Sequence, residues 1–188
     1  MEPDTIDARV VAEGFARLGV RPGDKIGMHT RIPALGRVAI DLSRQGKEAM
    51  RQGVHQVIDG ALQAVGPQGL LMVPTFSFCF AGRPDARVWN PRSTPSAVGW
   101  LTDELWRRPD ALRSNHPTHS VGCIGPDAAA MIADHERRTP LGKDTPFHRL
   151  ALGKGWICYF GTTGTTLSLL HVAEVVAGAP YVNVFNWG

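Results

Sequence analysis

No stretch of the 188 residues approaches the ~18 consecutive apolar positions that a membrane-crossing helix needs. The first residues are acidic and proline-containing, and no basic-then-apolar leader stands there. Cysteine is scarce as well. The three present, Cys79, Cys123 and Cys158, are neither closely paired nor even in number, and each sits in an apolar stretch. That excludes a disulfide framework and fits free thiols in a reducing compartment, so a cytoplasmic, water-soluble protein is expected. Basic runs are missing too: Lys and Arg are scattered, with only short pairs such as Arg107-Arg108 and Arg137-Arg138. No stripe for nucleic acid results, and the net charge of +3 favours an anionic ligand without naming one.

What is present is ordinary globular composition, 43% hydrophobic and 20% charged, in a length that suits a single domain over residues 1–188. Ile6, Val10, Phe15 and Leu18 predict a helix over 6–18, capped by Asp4 or Thr5. After the Pro22-Gly23-Asp24 turn, Lys25 to Thr30 reads as a short strand. Residues 31–52 begin as an irregular loop and become polar. Val54, Val57, Ile58, Ala61, Leu62 and Val65 then keep helical spacing up to Gly66-Pro67. Leu70 to Phe76 is a continuous apolar strand of the type buried on both faces. A loop rich in Gly, Pro and Arg follows through Phe80 to Arg92. Thr94-Pro95-Ser96 opens a helix with Val98, Leu101, Leu105 and Trp106 inward. His119 to Ile124 reads as a strand and Pro126 to His135 as a helix. Trp156 to Phe160 is a further buried-type strand, then come the Gly161-Thr162-Thr163-Gly164 turn, a helix from about Thr165 to Ala177, and a last strand over Tyr181 to Phe185. Such alternation predicts an α/β domain of three layers with a largely parallel or mixed sheet, without internal repeat or linker. In such sheets ligands bind beyond the carboxyl ends of the strands.

The polar residues that break the pattern gather there. His171 and Glu174 are three apart on a predicted helix and share a face. A carboxylate beside an imidazole orients it and raises its basicity, giving a base for an amine or thiol; a solvated surface pair has the same spacing. Arg113-Ser114-Asn115-His116-Pro117-Thr118-His119-Ser120 is densely polar, either a phosphate-binding segment or an ordinary capped loop. The Gly161 turn into a helix offers backbone N–H groups to an anion, but lacks the ending of a P-loop and the spacing of a dinucleotide fingerprint. The histidines fall into no close metal-ligand pattern, so no metal is expected.

Taken in order along nearly the whole chain, a set of stretches resembles the antibiotic N-acetyltransferase family, best known for aminoglycoside 3-N-acetyltransferases. The stretches are Gly23-Asp24, His29-Thr30-Arg31-Ile32-Pro33-Ala34-Leu35-Gly36, Gly69 to Ser77, Thr94-Pro95-Ser96 with Gly99, and Arg113 to Pro117 with Ser120 and Gly125. Gly142 with Thr145-Pro146-Phe147, Gly161, His171-Val172-Ala173-Glu174 and Ala179-Pro180-Tyr181 complete it. The resemblance implies an α/β/α sandwich and direct acetyl transfer from acetyl-coenzyme A to a small-molecule amine, with no metal, nucleic acid or membrane involved. By position, His171 would be the general base, Glu174 its support, and Thr75 would lie beside the thioester. The residues His29, Thr30, Arg31, Ile32, Pro33, Leu35 and Gly36 would cradle the coenzyme, with Arg113, Ser114 and His116 lining the same cleft.

This chain departs from the family pattern at Thr30, Arg31 and Pro33, which stand where serines are usual, and Arg31 offers a phosphate partner in exchange. Members continue past the equivalent of Tyr181, so the resemblance implies a C-terminally incomplete domain whose last strand is an exposed edge, paired in a homodimer if at all. Three readings follow: an active N-acyltransferase, a homologue that binds coenzyme A or a nucleotide without turnover, and a metal hydrolase resting only on the histidine count.

Overall fold

A computed structural model of the chain describes residues 6–35, 46–77, 79 and 88–183. Its first helix, α1 (Ala8–Arg17), starts at an Asp7 cap whose side chain accepts the Val10 N–H at 2.8 Å. The expected caps Asp4 and Thr5 lie outside the described residues, and the helix begins too late to use them. Strand β1 (Lys25–Thr30) follows, and then α2 (Gly46–Val65), which starts eight residues before its apolar repeat does. Its polar first turns are held by Arg51, which donates to Glu104 at 3.0 Å. Strand β2 (Leu70–Pro74) is buried at every position, as a strand covered on both faces must be.

The next helix, α3 (Trp100–Trp106), starts later than the sequence suggests. Thr94-Pro95-Ser96 is loop: the Ser96 N–H donates to Asp103 at 2.8 Å and the Ser96 and Thr102 hydroxyls share a bond of 2.7 Å. Those side-chain bonds offer the backbone an alternative to helix and delay its start past Gly99. Strands β3 (Leu112–Arg113) and β4 (Val121–Ile124) then form an antiparallel pair. Helices α4 (Ala128–Ile132) and α5 (Pro146–Leu152), strand β5 (Trp156–Phe160) and helix α6 (Ser168–Val176) complete the set.

The sheet order is β3-β4-β2-β1-β5. β2, β1 and β5 run parallel, with Lys25 beside Leu70 and Ile26 beside Trp156; β4 pairs antiparallel with β2 and with β3. The sheet is therefore mixed, its antiparallel part supplied by the β3–β4 hairpin. Side chains alternate across it. Leu71 and Val73 face a core shared with Val11 and Phe15 of α1, Val57 and Ile58 of α2, and Leu101 and Leu105 of α3. Leu70 and Met72 face a second core, with Met131 of α4, Phe147 and Leu150 of α5, and Val172 of α6. Among the described residues, three helices on each side of one sheet make the α/β/α sandwich.

Two features set the placement of the site. Gly60 lets α1 lie against α2: a Cβ there would stand 2.5 Å from the Ala8 carbonyl oxygen and 2.5 Å from Val11 Cβ. The expected strand over Tyr181 to Phe185 is not formed where it is described. Pro180–Asn183 is a 3-10 turn that brings the Tyr181 hydroxyl back to Glu174 at 3.2 Å, and Val184 and Phe185 lie outside the described residues. β5 is also less covered than a buried-type strand, with Trp156 exposed and the four residues after it half-buried.

Candidate active site

On α6, His171 and Glu174 stand one turn apart, and the spacing is realised as a bond: His171 Nδ1 meets Glu174 Oε2 at 2.9 Å. The second carboxylate oxygen accepts from the Tyr181 hydroxyl. A neutral imidazole that gives its Nδ1–H to this carboxylate has Nε2 as its basic atom, with the ring held in place by the same bond. The His171 side chain is 41% exposed, so the pair stands at the surface and not inside a core.

Three residues before His171, Ser168 lines a cavity of about 250 Å³. His29, Thr30, Pro74, Phe76, Val98, Thr102 and Thr166 form the rest of its wall. β1 and β2 deliver His29, Thr30 and Pro74 at their carboxyl ends, where open α/β sheets place ligands. His29 is 5% exposed and stacks on Phe147 and on Tyr159, with ring centroids 6.0 and 5.8 Å away. Its Nε2 has no hydrogen-bond partner among the described residues, and burial pushes its pKa down to about 4. The His119 ring packs against Phe76 with centroids 4.6 Å apart; burial, then the nearby His116 and His171, lower its pKa to about 4.

Of the other residues expected to cradle the coenzyme, Ile32–Leu35 form a 3-10 turn, with Arg31 and Pro33 exposed and Ile32 and Leu35 packed on the first core. Gly161, at φ +71°, passes so close that a Cβ would stand 2.6 Å from the Arg31 carbonyl oxygen and 3.0 Å from Leu35 Cδ2. Close packing thus joins the loop after β1 to the turn after β5. Gly36 lies outside the described residues.

Four expected site residues belong to a different cluster. Thr75 is fully buried, its hydroxyl 2.9 Å from the Ser120 hydroxyl and within reach of Arg113 Nε, and it is not among the residues that line the cavity. Arg113 also donates to the Thr75 and Thr94 carbonyl oxygens and lies over the rings of Trp89 and Trp106. Burial pushes its pKa down to about 10. Ser114 accepts from the Val121 N–H and meets His135 Nδ1 at 2.9 Å, while His116 Nδ1 takes the His119 N–H at 3.0 Å. These polar atoms are used within the protein. The cluster ties the β3–β4 hairpin to the end of β2, and bonds within the protein bring Thr75, Arg113, Ser114 and His116 together there.

The sequence gives no sign of the sandwich around His29, because Phe147 and Tyr159 come from α5 and β5. Tyr181 and His119 were also missed as neighbours of the dyad. Ser168 could have been found, since it shares the α6 face of His171. Among the described residues, no group of three His, Cys, Asp or Glu side chains could hold a metal ion, and no helix is long and apolar enough to cross a membrane.

With this geometry in place, comparison with known proteins is informative. Residues 38–186 match the family model for aminoglycoside 3-N-acetyltransferase. Aminoglycoside N(3)-acetyltransferase IX of Micromonospora chalcea is 34% identical over 183 residues, 89% of this chain and 61% of that protein. The crystal structure of aminoglycoside acetyltransferase AAC(3)-Xa superposes with a TM-score of 0.77 at 31% identity, over 92% of this chain and 62% of the other. AAC-IIIb, solved as a binary complex with CoASH, gives a TM-score of 0.76 at 26% identity, over 91% and 65%. The chain thus spans 61% of the curated relative from M. chalcea.

Proposed function

Because the chain belongs to the aminoglycoside 3-N-acetyltransferase family, we propose that it moves the acetyl group of acetyl-coenzyme A onto the 3-amino group of an aminoglycoside or related amine. The observation that carries this reading is the 2.9 Å bond between His171 and Glu174, one helical turn from the cavity that Ser168 shares with His29.

Transfer is direct. The amine nitrogen attacks the thioester carbonyl carbon while His171 Nε2 takes the proton that the nitrogen sheds. The new C–N bond forms, the C–S bond breaks, and the proton passes to the departing sulfur. The products are an amide and the free thiol of coenzyme A, with no acyl-enzyme between. Glu174 steadies the imidazolium that exists between the two proton transfers, and the Tyr181 hydroxyl steadies Glu174. His171 and Glu174 are the catalytic residues. Thr75 acts through the strand end it holds, because its hydroxyl is bound to Ser120 and Arg113. The donor lies over the turn from Arg31 to Leu35, where the exposed Arg31 is placed to pair a phosphate. The free thiols of Cys79, Cys123 and Cys158 suit a reducing cytoplasm.

A second reading, a homologue that binds coenzyme A without turnover, is favoured by one observation: the Thr75 hydroxyl, expected beside the thioester, is bonded to Ser120 and Arg113. Calorimetry with coenzyme A, followed by NMR of the product formed from acetyl-coenzyme A and an aminoglycoside, separates the two. Acetylation at the 3-amino nitrogen supports the transferase; tight binding with no amide formed supports the second reading.

A further inference from the structure

Two buried side-chain polar atoms have no hydrogen-bond partner among the described residues, His29 Nε2 and the Tyr159 hydroxyl, and their rings stack on each other. A buried ring nitrogen left unpaired costs about 1–3 kcal/mol, so a folded protein keeps one where something else completes it. His29 is 5% exposed and borders the cavity of about 250 Å³. That volume falls below the range of whole-ligand pockets and suits the end of a ligand rather than its body. The wall near His29 combines the apolar Pro74, Phe76 and Val98 with the hydroxyl-bearing Thr30, Thr166 and Ser168, a setting for a small group with one polar atom.

We propose that the cavity seats the acyl end of the thioester and that His29 Nε2–H donates a hydrogen bond to its carbonyl oxygen, an assignment that rests on the transferase reading. The ring stacks on both Phe147 and Tyr159, so the donor is held in place before the substrate arrives. Burial keeps this imidazole neutral at physiological pH, with a pKa of about 4, so it is a poor base and a steady N–H donor. The labour is divided between two histidines. His171, bonded to a carboxylate and 41% exposed, handles the proton, and the enclosed His29 meets the charge that develops on oxygen. When the amine adds, the C=O electron pair moves onto that oxygen and returns as the C–S bond breaks. The hydrogen bond strengthens and relaxes with it, and no proton leaves His29.

The test is isotope-edited infrared spectroscopy of [1-¹³C]acetyl-coenzyme A bound to the 188-residue chain, with His29→Phe and His29→Gln beside the wild type. The carbonyl stretch is expected at lower frequency in the wild type than in free acetyl-coenzyme A. His29→Phe, measured at saturating acetyl-coenzyme A, should lose the shift and about a hundredfold in transfer rate. Glutamine, whose amide N–H reaches the same point, should restore part of both and serves if the phenylalanine variant fails to fold. An unshifted wild-type carbonyl, a shift that survives in His29→Phe, or a wild type that binds no acetyl-coenzyme A overturns the proposal. A shifted carbonyl with no transfer to any amine would sustain the role of His29 and sink the transferase reading, while transfer without the shift would do the reverse.

Discussion

Each titratable side chain at this site has its task set by its surroundings. His171 has a carboxylate at 2.9 Å and partial access to solvent, and it is expected to carry the proton. Replacing it with alanine should lower acetyl transfer by roughly 10²–10⁴-fold with little change in the unfolding midpoint. Tyr181→Phe, which removes one support of Glu174, should lower kcat by no more than about tenfold, measured as thiol release. Arg113 gives the opposite expectation. Its guanidinium is spent on Thr75, Ser120 and Thr94 between two indole rings, so Arg113→Ala should cost about 3 kcal/mol in urea unfolding. Were the guanidinium a phosphate ligand instead, that variant would keep its stability and lose affinity for coenzyme A.

Elements differed in how clearly they could be read. β2 was plain because both its faces are buried, which leaves an unbroken apolar run. β3 was invisible: two residues become a strand only because β4 lies beside them. α5 was missed because its seven residues are too few for a periodic signal, although Pro146 stands at its start. The late start of α3 follows from Ser96 bonding to Thr102 and Asp103, a contact between residues too far apart for local propensity to report. The site divided in the same way. His171 with Glu174 was legible as a helical spacing, and His29 with Thr30 as polar residues at a strand end. The internal use of Arg113, Ser114 and His116 was not, since a polar segment reads the same whether its partners are protein or ligand. At this scale Gly60→Ala should destabilise by about 2 kcal/mol or more, seen as a lower Tm, because α1 and α2 cannot separate without opening the first core. The alternation of apolar strands and amphipathic helices specified the three layers and allowed a mixed sheet, but did not place the β3–β4 hairpin that makes it so.

Taken whole, the molecule buries several imidazoles in neutral form, and its stability should depend on pH accordingly. Burial lowers the folded pKa values of His29 and His119 to about 4 and that of His135 to about 3, against 6.5 for the free side chain. Below pH 6.5 the unfolded chain takes up protons that the folded one refuses, so stability falls with falling pH until the folded values are passed. For His29 alone the loss across the window from 6.5 to about 4 is on the order of 3 kcal/mol. Urea midpoints measured from pH 7.5 to 4 should decline through that interval and hold steady above it. The proposed function turns on a surface imidazole and its carboxylate working beside a small cavity at the strand ends. Its most direct test is the rate of thiol release from acetyl-coenzyme A with an aminoglycoside present, wild type against His171→Ala of equal thermal stability. Release that needs the aminoglycoside and drops at least a hundredfold in the variant is the predicted result. Equal rates in the two proteins would contradict it.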